Sequence, residues 1–209
     1  MELHRPLATV TPTLDGDVLA VLAANDIAFT TGQIHRILNK FSAEGVRKVL
    51  ARLVSQGVVT ADRVGNAFTY RLNRDHLAAA PIVALAGLSN TFLSKLEHEL
   101  DQWAHPPKYA AVFGSALRGT MTVDSDIDLF LVQARRTPPA VWAHDINELA
   151  ANVTRWTGND ARIVEYSISE LRKSAAEPMV GEVLDSGLTV AGSRTWLLKL
   201  VQSMPKKRV

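Results

Sequence analysis

The chain contains no cysteine, which excludes disulfides and thiolate-bound zinc and suits a reducing compartment. Long apolar runs are missing too. Ala78 to Leu88 is among the longest, well short of the roughly 20 residues that a membrane-spanning helix needs. MELHRPLATV at the start has no basic segment leading into an apolar run and a small-residue cleavage site, so the expectation is a cytoplasmic protein with no membrane partner. Aromatic residues make up 6% of the chain, and the formal net charge is only +2. A charge that small argues for nucleic-acid binding only through the placement of individual Arg and Lys residues. The six histidines show no metal-ligand spacing, and there is neither an internal repeat nor a low-complexity tract.

What is present is enough apolar material, 47% of 209 residues, to fill one large core or two small ones. After Pro12, Thr13 is placed to cap a helix carrying Leu14, Val18, Leu19, Val21 and Leu22 at helical spacing. Thr30 or Thr31 opens a shorter helix with Ile34, Ile37 and Leu38 on its buried face. Ser42 begins a third helix in which Val46, Val49, Leu50, Leu53 and Val54 form a stripe, with Arg47, Lys48 and Arg52 largely off it. Gly57 ends that helix. Two β-prone runs, VVTADRV and AFTYRLN, then meet at Gly65 and Asn66, where a hairpin needs positive φ.

Helix, helix, basic helix and hairpin in that order predict a winged helix-turn-helix over residues 1–75. The third helix would enter the major groove of double-stranded DNA, with Arg63 and Arg71 of the wing flanking the duplex and Arg74 reaching phosphate beyond it. The bland alternative is that these basic residues form the solvated face of an amphipathic helix. Residues 76–107 read as a helical linker interrupted by Pro81 and Gly87, and as a candidate dimer helix using Leu85, Leu88, Phe92, Leu93 and Leu96. A homodimer would pair two half-sites.

From Lys108 the pattern alternates between strand and helix, which predicts an α/β domain over 108–209. Tyr109 to Phe113 and Ser125 to Val132 read as strands, Pro139 to Thr157 as an amphipathic helix and Ala161 to Ser167 as a third strand. Ser169 to Ala175 follows as a helix, Gly187 to Gly192 as a strand and Thr195 to Met204 as a last helix, before the basic tail Lys206, Lys207 and Arg208. The expected fold class is therefore α+β in two domains, the second built on a small mixed sheet.

The chemistry sits in GSALRGTMTVDSDIDLFLV, residues 114–132. In a strand, Asp126 and Asp128 share a face, about 6.6 Å apart at about 3.3 Å per residue. Two carboxylates at about 4 Å repel by about 4 kcal/mol at an effective dielectric near 20, so the arrangement gains from a cation between them. Hard oxygen ligands favour Mg²⁺ or Mn²⁺ over zinc. Ile127, Leu129 and Leu131 take the opposite face. Upstream, strand YAAVF runs into Gly114, where the backbone can approach an anion closely, and Ser115 opens a helix whose free N–H groups suit phosphate. Arg118 lies one turn on. Ser125 is placed either to contact nucleotide or only to tie its own loop.

The string GS-x-x-R-G followed by D-S-D-I-D-L resembles the signature of the DNA polymerase β-like nucleotidyltransferases, especially their minimal members, over roughly Lys108 to Gly192. The resemblance implies transfer of a nucleoside monophosphate from an NTP to a hydroxyl acceptor, with Gly114 and Ser115 holding the triphosphate and Asp126 and Asp128 binding metal. It also implies a third carboxylate on the strand after the long helix. That strand, DARIVEYS, places Arg162 at the expected acid position, leaving Glu165 or Asp160 as the alternatives, with Glu165 taken as the third catalytic residue. Arg162 motivates the competing expectation: a DNA-binding regulator whose transferase fold senses nucleotide without turnover.

Overall fold

The computed structural model describes residues 1–202. It divides into two compact units, one of Glu2 and residues 4–89, the other of Met1, Leu3 and the chain from Asn90 on.

The first unit is a helical cluster with a three-stranded sheet. A 3₁₀ turn at Pro6–Thr9 precedes α1 (Leu14–Ala24), then β1 (Phe29–Thr30), α2 (Thr31–Ile37), α3 (Ala43–Ser55), β2 (Val59–Val64), β3 (Ala67–Leu72) and α4 (Ala79–Ala86). Caps explain the helix starts. Thr30 and Gln33 form a capping box, and Ser42 Oγ accepts from Gly45 N–H at 3.1 Å. Thr13 stands at the N-cap of α1, but its hydroxyl donates to Asp15 rather than accepting from the backbone. Gly57 (φ +74°) ends α3 and Gly65 (φ +61°) turns the hairpin. Val18, Leu22, Ile34, Val46 and Leu50 are fully buried at the centre. Ile37, expected on the buried face, is 54% exposed. The strand β1 escapes sequence reading because two residues carry no periodicity. It pairs with β3, giving the order β1-β3-β2.

Residues 76–107 do not form one separate helical segment. Pro81 is the third residue of α4, where its missing N–H breaks no intrahelical bond, so Gly87 alone separates α4 from α5 (Leu88–Asp101). Ala79 and Ile82 of α4 are buried in the first unit's core and Leu85 packs against it. Phe92, Leu96 and Leu100 of α5 are buried in the second unit's core, with Leu93 packed on it. Of the apolar residues expected to serve a dimer helix, Leu85, Phe92, Leu93 and Leu96 are thus engaged within their own units.

The second unit continues with β4 (Tyr109–Phe113), the one-turn α6 (Ser115–Arg118), β5 (Ile127–Val132), α7 (Pro139–Thr157), β6 (Ala161–Tyr166), α8 (Ile168–Lys173), α9 (Pro178–Ser186), β7 (Leu188–Gly192) and α10 (Arg194–Gln202). The sheet order is β6-β5-β4-β7. The β5–α7–β6 crossover makes the one parallel pair, and β4 runs antiparallel to both β5 and β7, so the sheet is mixed. Strand alternation separates its two faces. Ala110, Val112, Ile127, Leu129 and Leu131 pack with Leu96 of α5 and Trp142, Leu149 and Val153 of α7. Tyr109, Phe113, Phe130 and Val132 pack with Leu171, Val180, Val183 and Leu197 of α8, α9 and α10. The helix α9 lies in a segment to which the sequence pattern assigns no element, and the basic tail lies outside the described residues. No single described helix is long and apolar enough to cross a membrane.

Candidate functional site

The antiparallel register of β4 and β5 pairs Phe113 with Asp128. The end of one strand therefore lies beside the start of the other, and the residue after Phe113 must pass the Asp128 side chain. That residue is Gly114, with φ +76° and ψ −150°. A Cβ on it would stand 2.1 Å from Asp128 Oδ2, so both the backbone angles and the space demand glycine. The turn expected to hold phosphate and the acid expected to hold metal are direct neighbours.

Ser115, half-buried, opens α6. The Gly114 carbonyl accepts from Leu117 and Arg118 N–H at 3.2 and 3.3 Å, and the earlier N–H groups of a single turn have no acceptor within it. Gly119 (φ +68°) then redirects the chain. The strand β5 begins at Ile127, one residue after Asp126 and two after its expected start at Ser125. Asp126 is exposed and Asp128 half-buried. The carboxyl of Asp128 is raised above the usual aspartate range, chiefly by burial, with Asp126 and Glu182 adding to the rise and Arg162 and Arg118 opposing it. All four of these charged side chains thus act on one carboxylate.

The loop before Asp126 is tied down on both sides. Ser125 Oγ accepts from Thr122 N–H at 2.9 Å and lies 3.1 Å from the Thr122 hydroxyl, so this side chain ties its own turn. Asn159, only 3% exposed, donates from Nδ2 to the carbonyls of Val123 and Ser125, each at 2.9 Å. Ile127 N–H donates to Asp160 O at 2.8 Å. Asn159 is a positioning residue that sequence reasoning missed. Its one signal was its place after Gly158, whose φ of +74° ends α7.

The third carboxylate is not where the sequence reading put it. Parallel pairing sets Arg162 beside Asp128 and Glu165 beside Leu131. Glu165 therefore shares a face with the α5 and α7 layer, and it accepts a hydrogen bond from Trp142 Nε1. It is not brought to the aspartates. Asp160 precedes β6 at the strand's edge. Among the described residues no three His, Cys, Asp or Glu side chains group tightly enough to hold a metal ion. The acid that does reach this region is Glu182 of α9, paired with Arg118. The signal for α9 was Val180, Val183 and Leu184 at helical spacing behind Pro178, which occupies its first position.

In the first unit the basic residues lie on exposed surface, most of them next to acids. Arg47 pairs with Glu44 and Arg52 with Asp15. Arg71 lies 3.9 Å from Asp62, and Arg74 lies 3.7 Å from Asp26. Arg63 donates to the carbonyl of Gly65 at 3.2 Å. Lys48 is exposed.

Residues 93–173 match the family model of the nucleotidyltransferase domain. The match begins inside α5 and ends with α8, so it takes in Gly114, Ser115, both aspartates and Arg162 but not α9. No curated protein matches the chain. Among solved structures, a toxin–antitoxin complex with AMP-PNP is 21% identical with a TM-score of 0.39, over 53% of this chain and 81% of that one. An MntA–HepT toxin–antitoxin structure is 18% identical with a TM-score of 0.36, over 54% and 80%. A tri-AMPylated Shewanella oneidensis HEPN toxin in complex with MNT antitoxin is likewise 18% identical, with a TM-score of 0.37, over 55% and 84%. Identities and TM-scores this low fix neither activity nor partner.

Proposed function

We propose that this chain is a divalent-metal-dependent nucleotidyltransferase, moving a nucleoside monophosphate from an NTP to a hydroxyl acceptor with pyrophosphate as leaving group. The observation that carries the reading is the abutment of Gly114 on Asp128, within residues that match a nucleotidyltransferase domain. The N–H groups opening α6 and the Ser115 hydroxyl donate to the triphosphate. Arg118 turns from Glu182 to the same phosphates, since an exposed ion pair stabilises by only about 0–1 kcal/mol and yields to a more highly charged partner.

Asp126 and Asp128 fit Mg²⁺ or Mn²⁺. Magnesium is commonly held by one or two carboxylates plus substrate phosphates, not by a cage made only of protein, and a pair of carboxylates beside a phosphate turn is that kind of donor set. Bound there, the ion would neutralise charge on the triphosphate and on the departing pyrophosphate. Burial and mutual repulsion make Asp128 reluctant to ionise alone, so a cation is what completes the pair.

Incubation with each α-labelled NTP, Mg²⁺ and candidate acceptors tests the reading. Label transfer that vanishes in Asp128→Asn is expected. Transfer that survives in that variant contradicts it. A second reading, a regulator that senses nucleotide without turnover, draws support from Arg162, the cation that the register places beside Asp128. Nucleotide binding without transfer, converted to transfer by Arg162→Asp, would favour this second reading.

For the first unit we propose a winged helix that binds double-stranded DNA through α3 and the β2–β3 hairpin, using Arg47, Lys48, Arg52, Arg63 and Arg71. Its support is the element order and the exposure of these residues. The acid partners of Arg47, Arg52 and Arg71 are exchangeable for phosphate on the same electrostatic grounds.

A further inference from the structure

The parallel strands β5 and β6 end together at Val132 and Tyr166. The loops that leave them enclose a cleft of about 280 Å³ lined by Arg135, Arg136, Arg172 and the hydroxyl-bearing Ser167 and Ser169. A second hollow of about 330 Å³ shares Arg135, Ile168 and Arg172 and adds Lys108, the indole of Trp196 and the apolar Leu200. The two make a continuous trough. It lies at the carboxyl ends of the parallel pair, whereas Asp128 stands at the opposite end of β5, about 13 Å away at about 3.3 Å per residue.

Four features point to a phosphate-bearing ligand. Among the described residues no acid lines either hollow. Glu170, in the first turn of α8, is folded back to accept from Ser167 N–H at 2.8 Å and faces a neighbouring hollow with Glu165. Among the described residues, Arg135, Arg136 and Arg172 have no ion pair and no side-chain hydrogen bond, so three guanidinium forks repel one another in one cleft. Arg136 is also the one described non-glycine residue with positive φ, +68°, a backbone strain that tends to collect at ligand sites. The Lys108 ammonium lies 5.5 Å from the centre of the Trp196 ring. The combination of arginine forks matched to phosphate and an aromatic wall beside them suits a nucleotide unit.

We propose that this trough is a second, metal-independent site that takes the phosphate of a nucleotide in its arginine cleft, with the nucleotide either free or part of a single strand. The proposal does not depend on the transferase reading. It is tested on the full chain in EDTA, with a fluorescein-labelled single-stranded 12-mer RNA followed by anisotropy and with 5′-AMP by calorimetry. Binding of at least one probe is expected. Arg135→Glu and Arg172→Glu should each weaken it about tenfold, and Lys173→Glu, the same charge change on the same helix outside the trough, by less than about twofold. Binding of RNA alone makes a strand the source, and binding of AMP as well makes a single nucleotide sufficient; both outcomes support the proposal. Failure of both probes to bind overturns it, as does equal weakening in all three variants. Arg172→Gln, read alongside the thermal melting midpoint, separates loss of binding from loss of fold.

Discussion

A methyl group at residue 114 would collide with Asp128 Oδ2 on a backbone that L-residues rarely adopt. Gly114→Ala is therefore expected to destabilise the chain by about 1–3 kcal/mol, read as a fall in thermal melting midpoint, and to abolish NTP binding. An unchanged midpoint would mean that the turn and the acid do not touch. Asp128 makes a second residue-scale prediction. Its carboxyl is raised, first by burial, so the folded chain keeps this proton to higher pH than the unfolded chain does. The cost of ionising it in place is absent at low pH and appears as pH rises past the ordinary aspartate range. Without divalent cation, Asp128→Asn should melt above the wild type near pH 7, with the gap closing toward about pH 3. Melting curves across that range check it, and a gap constant with pH would contradict it.

At the scale of elements, the ordered approach of Asp126 to Asp128 depends on a loop held by Asn159, a residue that touches neither carboxylate. Asn159→Ala removes two partly buried hydrogen bonds to carbonyls and should cost about 1–3 kcal/mol of stability. It should weaken Mn²⁺ binding in parallel, which paramagnetic relaxation of water protons can follow. The helix α9 brings Glu182 to Arg118. Glu182→Gln should free that guanidinium and tighten NTP binding by up to about fivefold, measured by equilibrium dialysis, whereas weaker binding would make Glu182 a part of the site. A helix with a cap and an apolar stripe is legible in the sequence, as α3 shows: Ser42 marks its start and Val46, Leu50 and Leu53 its buried face, whereas α2 has the capping residue at Thr30 but leaves Ile37 exposed. The pair Gly114 and Asp128 was legible because glycine before a helix start and alternating aspartates are local patterns. The rest was hidden by its lack of local signal. The strand β1 is two residues long, the apolar spacing of α9 is short and interrupted by Gly181, and the pairing of Arg162 with Asp128 follows from a register between distant segments.

For the whole molecule, the two units carry separate proposals and are separately testable. Duplex DNA binding by the first unit should fall steeply with salt, because phosphate contacts release counterions. Lys48→Ala and Arg63→Ala should each reduce the slope of log K against log salt by about 1 in a gel-shift titration. A slope near zero in the wild type would leave the basic residues of α3 and the hairpin as a solvated face. Neither result bears on the second unit, since Gly114, Ser115, Asp126 and Asp128 all lie within it.

In the proposed transferase, Gly114, Ser115, Asp126 and Asp128 share one metal–triphosphate site. Calorimetric titration of a non-hydrolysable NTP analogue, with and without Mg²⁺, into wild type, Asp126→Asn and Asp128→Asn tests it directly. The expected result is binding that requires Mg²⁺ in the wild type and is lost in both variants. Equal affinity with and without the metal, unchanged by either substitution, would contradict it.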